Sequence, residues 1–370
     1  MRVLHCIPSM LGGGAERQLA YLASEMPRRG WDVHVALVHD GPNLERLERA
    51  GATIHRLGGR GRYDPRLLID LIRVVRRVKP DVVQAWLLQM EVMGGLAALA
   101  TGTPWILAER TSAFHHPANL KNQLRLFMGW LANAVVSNSA GGDQYWHEQG
   151  AARVRRYVVC NALPLDEIAA TAPVRGEESG VRPDEQLVLF VGRLSAEKNI
   201  ARVVESVSRL LQRVPARAVF CGDGPERPRV EQLLQSHGVQ DRARIAGFVS
   251  NPWAWMKRAD AVVSLSLGEG NPNVVLEAMA CETPLVVSDI PAHREILDDE
   301  AAWFVDPTSA DATADALEAL LGNREGAVRR ARLARARVEQ HALSDIARQY
   351  DDVYRDVVAN STPVPGRIAL

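Results

Sequence analysis

Short apolar runs separated by longer amphipathic stretches set the rhythm of this chain from its first residues. Residues 3–7, 33–38, 82–85, 105–108 and 134–137 are rich in Val, Ile, Leu and Ala and lack the alternation of a sheet with one wet face. Such runs read as strands covered on both sides. Between them, 15–26 and 65–78 carry apolar residues at helical spacing, and Asp64 and Pro65 supply an N-cap and a first helical residue for the second. Strand–helix alternation predicts a parallel sheet with right-handed crossovers.

The rhythm breaks once. The stretch 166–186 is polar and rich in Pro and Gly, as linkers are. Alternation then resumes: strands at 187–191, 218–221, 261–265 and 285–287, helices at 200–211 and 274–279. A final helix at 344–358, with Ser344 as its expected cap, carries Ile346, Tyr350, Val353, Tyr354 and Val357 on one face. The reading is α/β: an N-terminal domain at 1–165, a linker at 166–186 and a second domain at 187–343. The last helix, about 344–360, is expected to pack across onto the first domain. Two doubly wound domains in tandem place a ligand cleft at the carboxyl ends of their strands.

Composition narrows the class. A chain of 370 residues exceeds one compact core. Lys plus Arg and Asp plus Glu both number 44, which argues against a dedicated nucleic-acid binder. The cysteines, Cys6, Cys160, Cys221 and Cys281, have no metal-ligand spacing and read as reduced thiols. The apolar start is too short for a signal peptide, and 90–108, interrupted by Glu91 and Pro104, falls short of a membrane span. These features predict a cytoplasmic protein, at most peripheral on a membrane.

Candidate chemistry gathers after strands. Gly12-Gly13-Gly14 follows the first, where glycines let a backbone approach a phosphate and the next helix offers free N–H groups. The spacing is not G-x-G-x-x-G, and a tight strand-to-helix turn accounts for it equally. After the strand at 187–191 comes Gly192-Arg193-Leu194-Ser195-Ala196-Glu197-Lys198-Asn199. Its two cations can neutralise a diphosphate leaving group. Lysine is chosen there in a chain with only three others, Lys79, Lys121 and Lys257. Further on, Gly268-Glu269-Gly270-Asn271 precedes a helix bearing Glu277 among Val275, Leu276, Ala278 and Met279. A carboxylate in that setting binds a ligand or pairs with a buried cation.

Glu269 and Glu277 with Glu277-Ala-Met-Ala following, Gly192-Arg193 with Lys198-Asn199, and Gly13-Gly-Ala-Glu-Arg17 together resemble family 4 glycosyltransferases of the GT-B fold. So do Gly222-Asp-Gly-Pro-Glu226 and Ala246-Gly-Phe248. The resemblance runs from about Arg2 to Tyr354 in one order. It implies two Rossmann-like domains facing each other across a cleft and a retaining, metal-independent transferase using a UDP- or GDP-sugar, with no cofactor. By position it implies that Arg193 and Lys198 hold the diphosphate and Glu277 the ribose. Glu269, with Gly270 and Asn271, would meet the sugar, Phe248 and Val249 would lie beside the base, and Gly13 and Gly14 would close on the phosphates. Consistent with metal independence, the chain contains no Asp-x-Asp.

Where many members carry a histidine after the strand at 105–108, this chain has Arg110, with His115 and His116 following. The expected acceptor is a glycan or a lipid-linked glycan in polysaccharide or cell-envelope synthesis. Helices at 65–78 and 120–131 predict a basic surface, including Arg66, Arg73, Arg77, Lys121 and Arg125, suited to anionic lipid. A sugar-nucleotide epimerase or a binding-only protein of the same fold are the alternatives.

Overall fold

In the computed structural model, which describes residues 1–58, 64–111, 116, 119–151, 153–182 and 185–361, the apolar runs form two all-parallel sheets. The first comprises β1 (Arg2–Cys6), β2 (Asp32–Leu37), β3 (Thr53–Arg56), β4 (Val82–Trp86), β5 (Trp105–Glu109), β6 (Ala134–Ser137) and β7 (Arg155–Val158), in the order β3-β2-β1-β4-β5-β6-β7. The second comprises β8 (Gln186–Val191), β9 (Ala216–Cys221), β10 (Ala243–Gly247), β11 (Ala261–Ser264), β12 (Leu285–Ser288) and β13 (Trp303–Val305), in the order β10-β9-β8-β11-β12-β13. Each order reverses once, between β1 and β4 and between β8 and β11, and these are the places where open α/β sheets hold ligands.

The chain divides into two units that are not consecutive in sequence: Met1–Leu163 with His341–Leu370, and Pro164–Gln340. In the first, Leu4, Val83, Leu107 and Val135 of successive strands pack on Leu71, Val75 and Met93. In the second, Val188, Phe220, Val263 and Val286 meet Val204, Leu211 and Leu317. Fully burying such a side chain stabilises by about 1.5–3 kcal/mol.

Local signals act as their chemistry dictates. Asp64 accepts from Arg66 N at 2.9 Å and Pro65 opens the helix Pro65–Val78, which stops where Lys79 turns left-handed at φ 50°. The buried face of that helix is Leu67, Leu71, Val74, Val75 and Val78, leaving Leu68 and Ile72 half-covered. Ser344 is not a cap: the last helix, Leu343–Asn360, starts one residue earlier behind Ala342. It lies on the first unit, where Tyr354 packs edge-on to Trp31 at 5.3 Å and Trp31 Nε1 donates to Asp351 at 2.8 Å.

The polar stretch read as a linker carries two short helices, Leu165–Ala170 and Gly176–Ser179, and belongs to the second unit. Its backbone is tied down. Lys257 Nζ donates to the carbonyls of Ala169 and Thr171 at 2.9 and 2.8 Å, and Val174 N donates to Ala254 O at 2.9 Å. Among the described residues, no helix is long and apolar enough to cross a membrane.

Candidate active site

At the reversal point of the second sheet, the loops that leave β8, β9 and β11 are bonded to one another. Leu194 N donates to Asp223 O at 3.0 Å, Glu226 N to Leu194 O at 3.0 Å, and Leu267 N to Glu197 O at 3.1 Å. The Gly222-Asp-Gly segment has to be side-chain-free. Gly222 has φ +145°, and a Cβ there would collide with Gly192 O; one on Gly224 would strike Leu194.

This platform brings Lys198 and Glu269 together from adjacent strands. Lys198 Nζ donates to Glu269 Oε1, and Ser266 Oγ donates to the same oxygen at 2.7 Å. Burial favours the neutral acid, but the Lys198 ammonium and these two donors outweigh it and hold the carboxyl below its ordinary range. The pair is only part-covered, with side-chain exposures of 25% for Lys198 and 16% for Glu269. Arg193, on the same loop, extends into solvent and, among the described residues, meets the Glu197 carboxylate at 3.9 Å.

The remaining predicted residues of this unit surround the pair at different depths. Gly270 and Asn271 are buried in the β11 loop, and Glu277 is buried in the helix Asn273–Ala280 that follows. Phe248 and Val249 leave the carboxyl end of β10; Phe248 is an exposed aromatic and Val249 is half-buried.

Sequence reasoning missed His293. It lies on the short helix Pro291–Arg294 after β12 and is fully buried. Nothing in a lone histidine within a polar loop signals this. Only the β11–β12 pairing brings the loop beside Glu269.

The predicted residues of the first unit form a separate set. Gly13 precedes the helix Gly14–Glu25, and the Glu16 carboxylate folds back so closely that a Cβ on Gly13 would hit it. Ser9 Oγ donates to that carboxylate at 3.3 Å. Arg110 follows β5; it stacks over Trp86 at 5.1 Å, donates to Tyr350 Oη at 3.2 Å and donates to Asn161 Oδ1. It is thus held by an aromatic wall built partly by the last helix. His115 lies outside the described residues.

His116 belongs to a buried ionic hub that the sequence reading did not see. Glu109, at the end of β5, accepts from Arg125 Nη2 at 2.5 Å, Trp146 Nε1 at 3.0 Å and Thr111 N and Oγ1 at 2.9 Å each, with His116 Nε2 at 3.2 Å. Arg125 also donates to Glu91. This corrects the predicted basic surface: Arg125 is 2% exposed and committed to two carboxylates. The opposite side of its helix, Leu120–Trp130, instead exposes an apolar stripe, Leu120, Leu124 and Phe127, continued by Leu131 beyond its end. On the helix Pro65–Val78, Arg66, Arg73, Arg76 and Arg77 are exposed as expected. Among the described residues, no three His, Cys, Asp or Glu side chains are grouped closely enough to hold a metal ion.

Two family models match the chain in tandem. Glycosyltransferase Family 4 matches residues 12–167, and Glycosyl transferases group 1 matches 176–337. The Alpha-D-kanosaminyltransferase of Streptomyces kanamyceticus is 32% identical over 179 residues, 47% of this chain and 46% of that protein. The chain is therefore aligned to about half the length of that relative. The lipopolysaccharide core biosynthesis glycosyltransferase LpsE of Rhizobium meliloti is 26% identical over 84% of this chain and 86% of its own. Among solved structures, HepE of Anabaena in complex with UDP-glucose superposes with a TM-score of 0.85 at 18% identity, covering 96% of this chain and all of that one.

Proposed function

The chain belongs to glycosyltransferase family 4, and from that premise we propose that it transfers a hexosyl or N-acetylhexosaminyl unit from a UDP- or GDP-sugar to a glycan or lipid-linked acceptor in cell-envelope glycan synthesis. The observation that carries this reading is the partly exposed Lys198–Glu269 pair at the reversal point of the second sheet. A lysine with one carboxylate partner is already poised where a diphosphate would lie, and it exchanges that partner for the donor at little cost.

In this reading, Lys198 moves to the diphosphate and Arg193 joins it from solvent. Glu277 holds ribose hydroxyls, Glu269 with Gly270 and Asn271 holds the sugar, and Phe248 and Val249 flank the base. Gly13 and Gly14 offer the N–H groups of a helix start to the phosphates, displacing the Glu16 carboxylate. The bond from the anomeric carbon to the diphosphate oxygen breaks as the acceptor oxygen bonds to that carbon. The acceptor proton passes to the departing phosphate oxygen, and the two cations gathered there stabilise the charge that develops. Retention of configuration and independence of metal belong to the same proposal.

Arg110 is assigned to the acceptor side, though its partners Tyr350 and Asn161 suit a positioning role equally. A lipid-linked acceptor fits the exposed stripe from Leu120 to Leu131, with Lys121 on the same helix and exposed arginines on Pro65–Val78. Co-sedimentation with anionic vesicles at low salt, lost at high salt, is expected. A protein that stays in the supernatant at low salt would point to a soluble acceptor.

Release of nucleoside diphosphate from candidate donors, with and without glycan acceptor and in EDTA, tests the whole reading. Acceptor-stimulated release that persists in EDTA is expected. Conversion of the donor to an epimer would overturn it, and so would binding without turnover.

A further inference from the structure

His293 has a fixed tautomer and one nitrogen with nothing to do. Its Nδ1 lies 2.8 Å from Ser288 O, which can only accept, so Nδ1 carries the proton and Nε2 presents a lone pair. That Nε2 is buried and, among the described residues, has no hydrogen-bond partner. Buried polar atoms in folded proteins nearly always find partners, so an exception beside a binding site calls for an explanation. The ring is 0% exposed, and burial holds it neutral, below its ordinary pKa.

The surroundings say what the partner is. Ser288 Oγ donates to Ser266 O at 2.7 Å, and Ser266 Oγ donates to Glu269 Oε1 at 2.7 Å. His293 is therefore bonded to the strand end that braces the Glu269 turn. It is close enough to feel both the Glu269 carboxylate and the Lys198 ammonium. Lys198 is bonded to Glu269, and the hydroxyls of Ser266 and Ser288 each have an acceptor. A neutral acceptor in such a place is matched by a hydroxyl donor.

Resting on the nucleotide-sugar reading above, we propose that His293 is a specificity-determining residue whose Nε2 accepts a hydrogen bond from a hydroxyl of the transferred sugar. Nε2 is buried in this structure, so the contact requires the site to open as the diphosphate draws Lys198 from Glu269. Sugar recognition is then coupled to arrival of the diphosphate. A donor lacking that hydroxyl would leave Nε2 buried without a partner, which is how sites built on hydrogen bonds reject analogues.

Two substitutions separate this role from a structural one. In His293→Asn, the side-chain amide reaches the place of Nδ1 and keeps the bond to Ser288 O, while nothing replaces Nε2. In His293→Gln, the longer amide brings an acceptor towards the Nε2 position. Calorimetric titrations with UDP and UDP-glucose, and with GDP and GDP-mannose, would be run on all three proteins, with donor hydrolysis as the rate readout. For the pair that wild type binds, His293→Asn is expected to hold the bare diphosphate within about twofold of wild type. It should weaken the sugar nucleotide and slow its hydrolysis by at least about fivefold, and His293→Gln should recover part of both. Wild-type behaviour of His293→Asn towards the sugar nucleotide would overturn the proposal. Equal loss of both ligands would overturn it too, because the histidine would then only hold the loop. If wild type binds neither pair, the nucleotide-sugar reading fails first and the role of His293 goes with it.

Discussion

Of the cation–carboxylate clusters at the carboxyl ends of strands, one in each unit invites comparison, because the two differ in burial and in partner count. In the first unit, Arg125 is sealed between Glu91 and Glu109, with the guanidinium stacked on Trp146 at 5.0 Å. In the second, Lys198 reaches Glu269 with a quarter of its side chain still in water. A planar guanidinium with several fixed donors satisfies two carboxylates at once and has no reason to leave. A compact ammonium on a flexible stem, held by one carboxylate, can be taken over by a stronger anion. Proximity of opposite charges therefore says little about function until burial and partner count are added.

The sharpest way to break the comparison is to remove the arginine. Arg125→Met should destabilise the chain by about 3–5 kcal/mol, because it leaves two buried carboxylates without their cation. Urea unfolding measures this, and a loss below about 1 kcal/mol would show that the hub does not hold the first unit together. The lysine should behave in the other way. Lys198→Ala is expected to leave the unfolding midpoint nearly unchanged while kcat/KM falls at least about tenfold, and Arg193→Ala should follow it. Near-normal turnover in both variants would remove the diphosphate clamp.

A finer cut separates the two glutamates of the second unit. Glu277→Gln should weaken binding of the bare nucleoside diphosphate severalfold, as expected of a ribose contact. Glu269→Gln should spare that binding and depress transfer. Equal losses in calorimetric titrations would mean their roles are misassigned.

The smallest effect is a pH dependence of the buried hub. Burial, opposed by Arg125 and reinforced by the Glu109 charge, raises the Glu91 carboxyl to about 7 from its ordinary 4.5. The folded chain then keeps a proton that the unfolded chain gives up. That contribution to stability is full below about pH 4.5 and is lost as the pH rises through about 7. Glu109 is displaced the other way, since Arg125 and His116 outweigh its burial, and its contribution fails only in strong acid. Glu91→Gln should therefore flatten the stability profile between pH 5 and 8. An unchanged slope in urea titrations would show that Glu91 is not the group that takes up the proton.

Most of the architecture was legible because its central strands are apolar on both faces. The runs at 3–7, 82–85, 105–108, 187–191 and 261–265 fall on strands of the sheet interiors. The strands that escaped are β3, β7, β10 and β13, which lie at sheet edges. Arg155–Val158 and Thr53–Arg56 are largely exposed or half-buried and carry no apolar run to find. Arg193, Lys198 and Glu269 could be singled out from loop position and residue type, whereas the pairing of Lys198 with Glu269 needed the strand order. Arg125 was misread because its helix is amphipathic in the usual way. The usable signal was Glu91, a carboxylate in the most apolar segment of the chain, which demands a buried cation from somewhere. His293 had no such signal, because its meaning arises from a strand pairing and not from its neighbours in sequence.

The return of the helix Leu343–Asn360 to the first unit has a consequence for biosynthesis. The second unit is inserted into the first, so the ribosome finishes residues 164–340 before it makes the piece that completes the earlier unit. At about 5–20 residues per second, the nascent first unit waits roughly 10–40 s for its closing helix. During that wait Trp31 lacks Tyr354, Arg110 lacks Tyr350, and Gln84 lacks the Tyr354 hydroxyl. The half-made protein thus carries an uncovered aromatic seam, a natural holding site for a chaperone, and truncation before residue 343 would leave that seam open permanently.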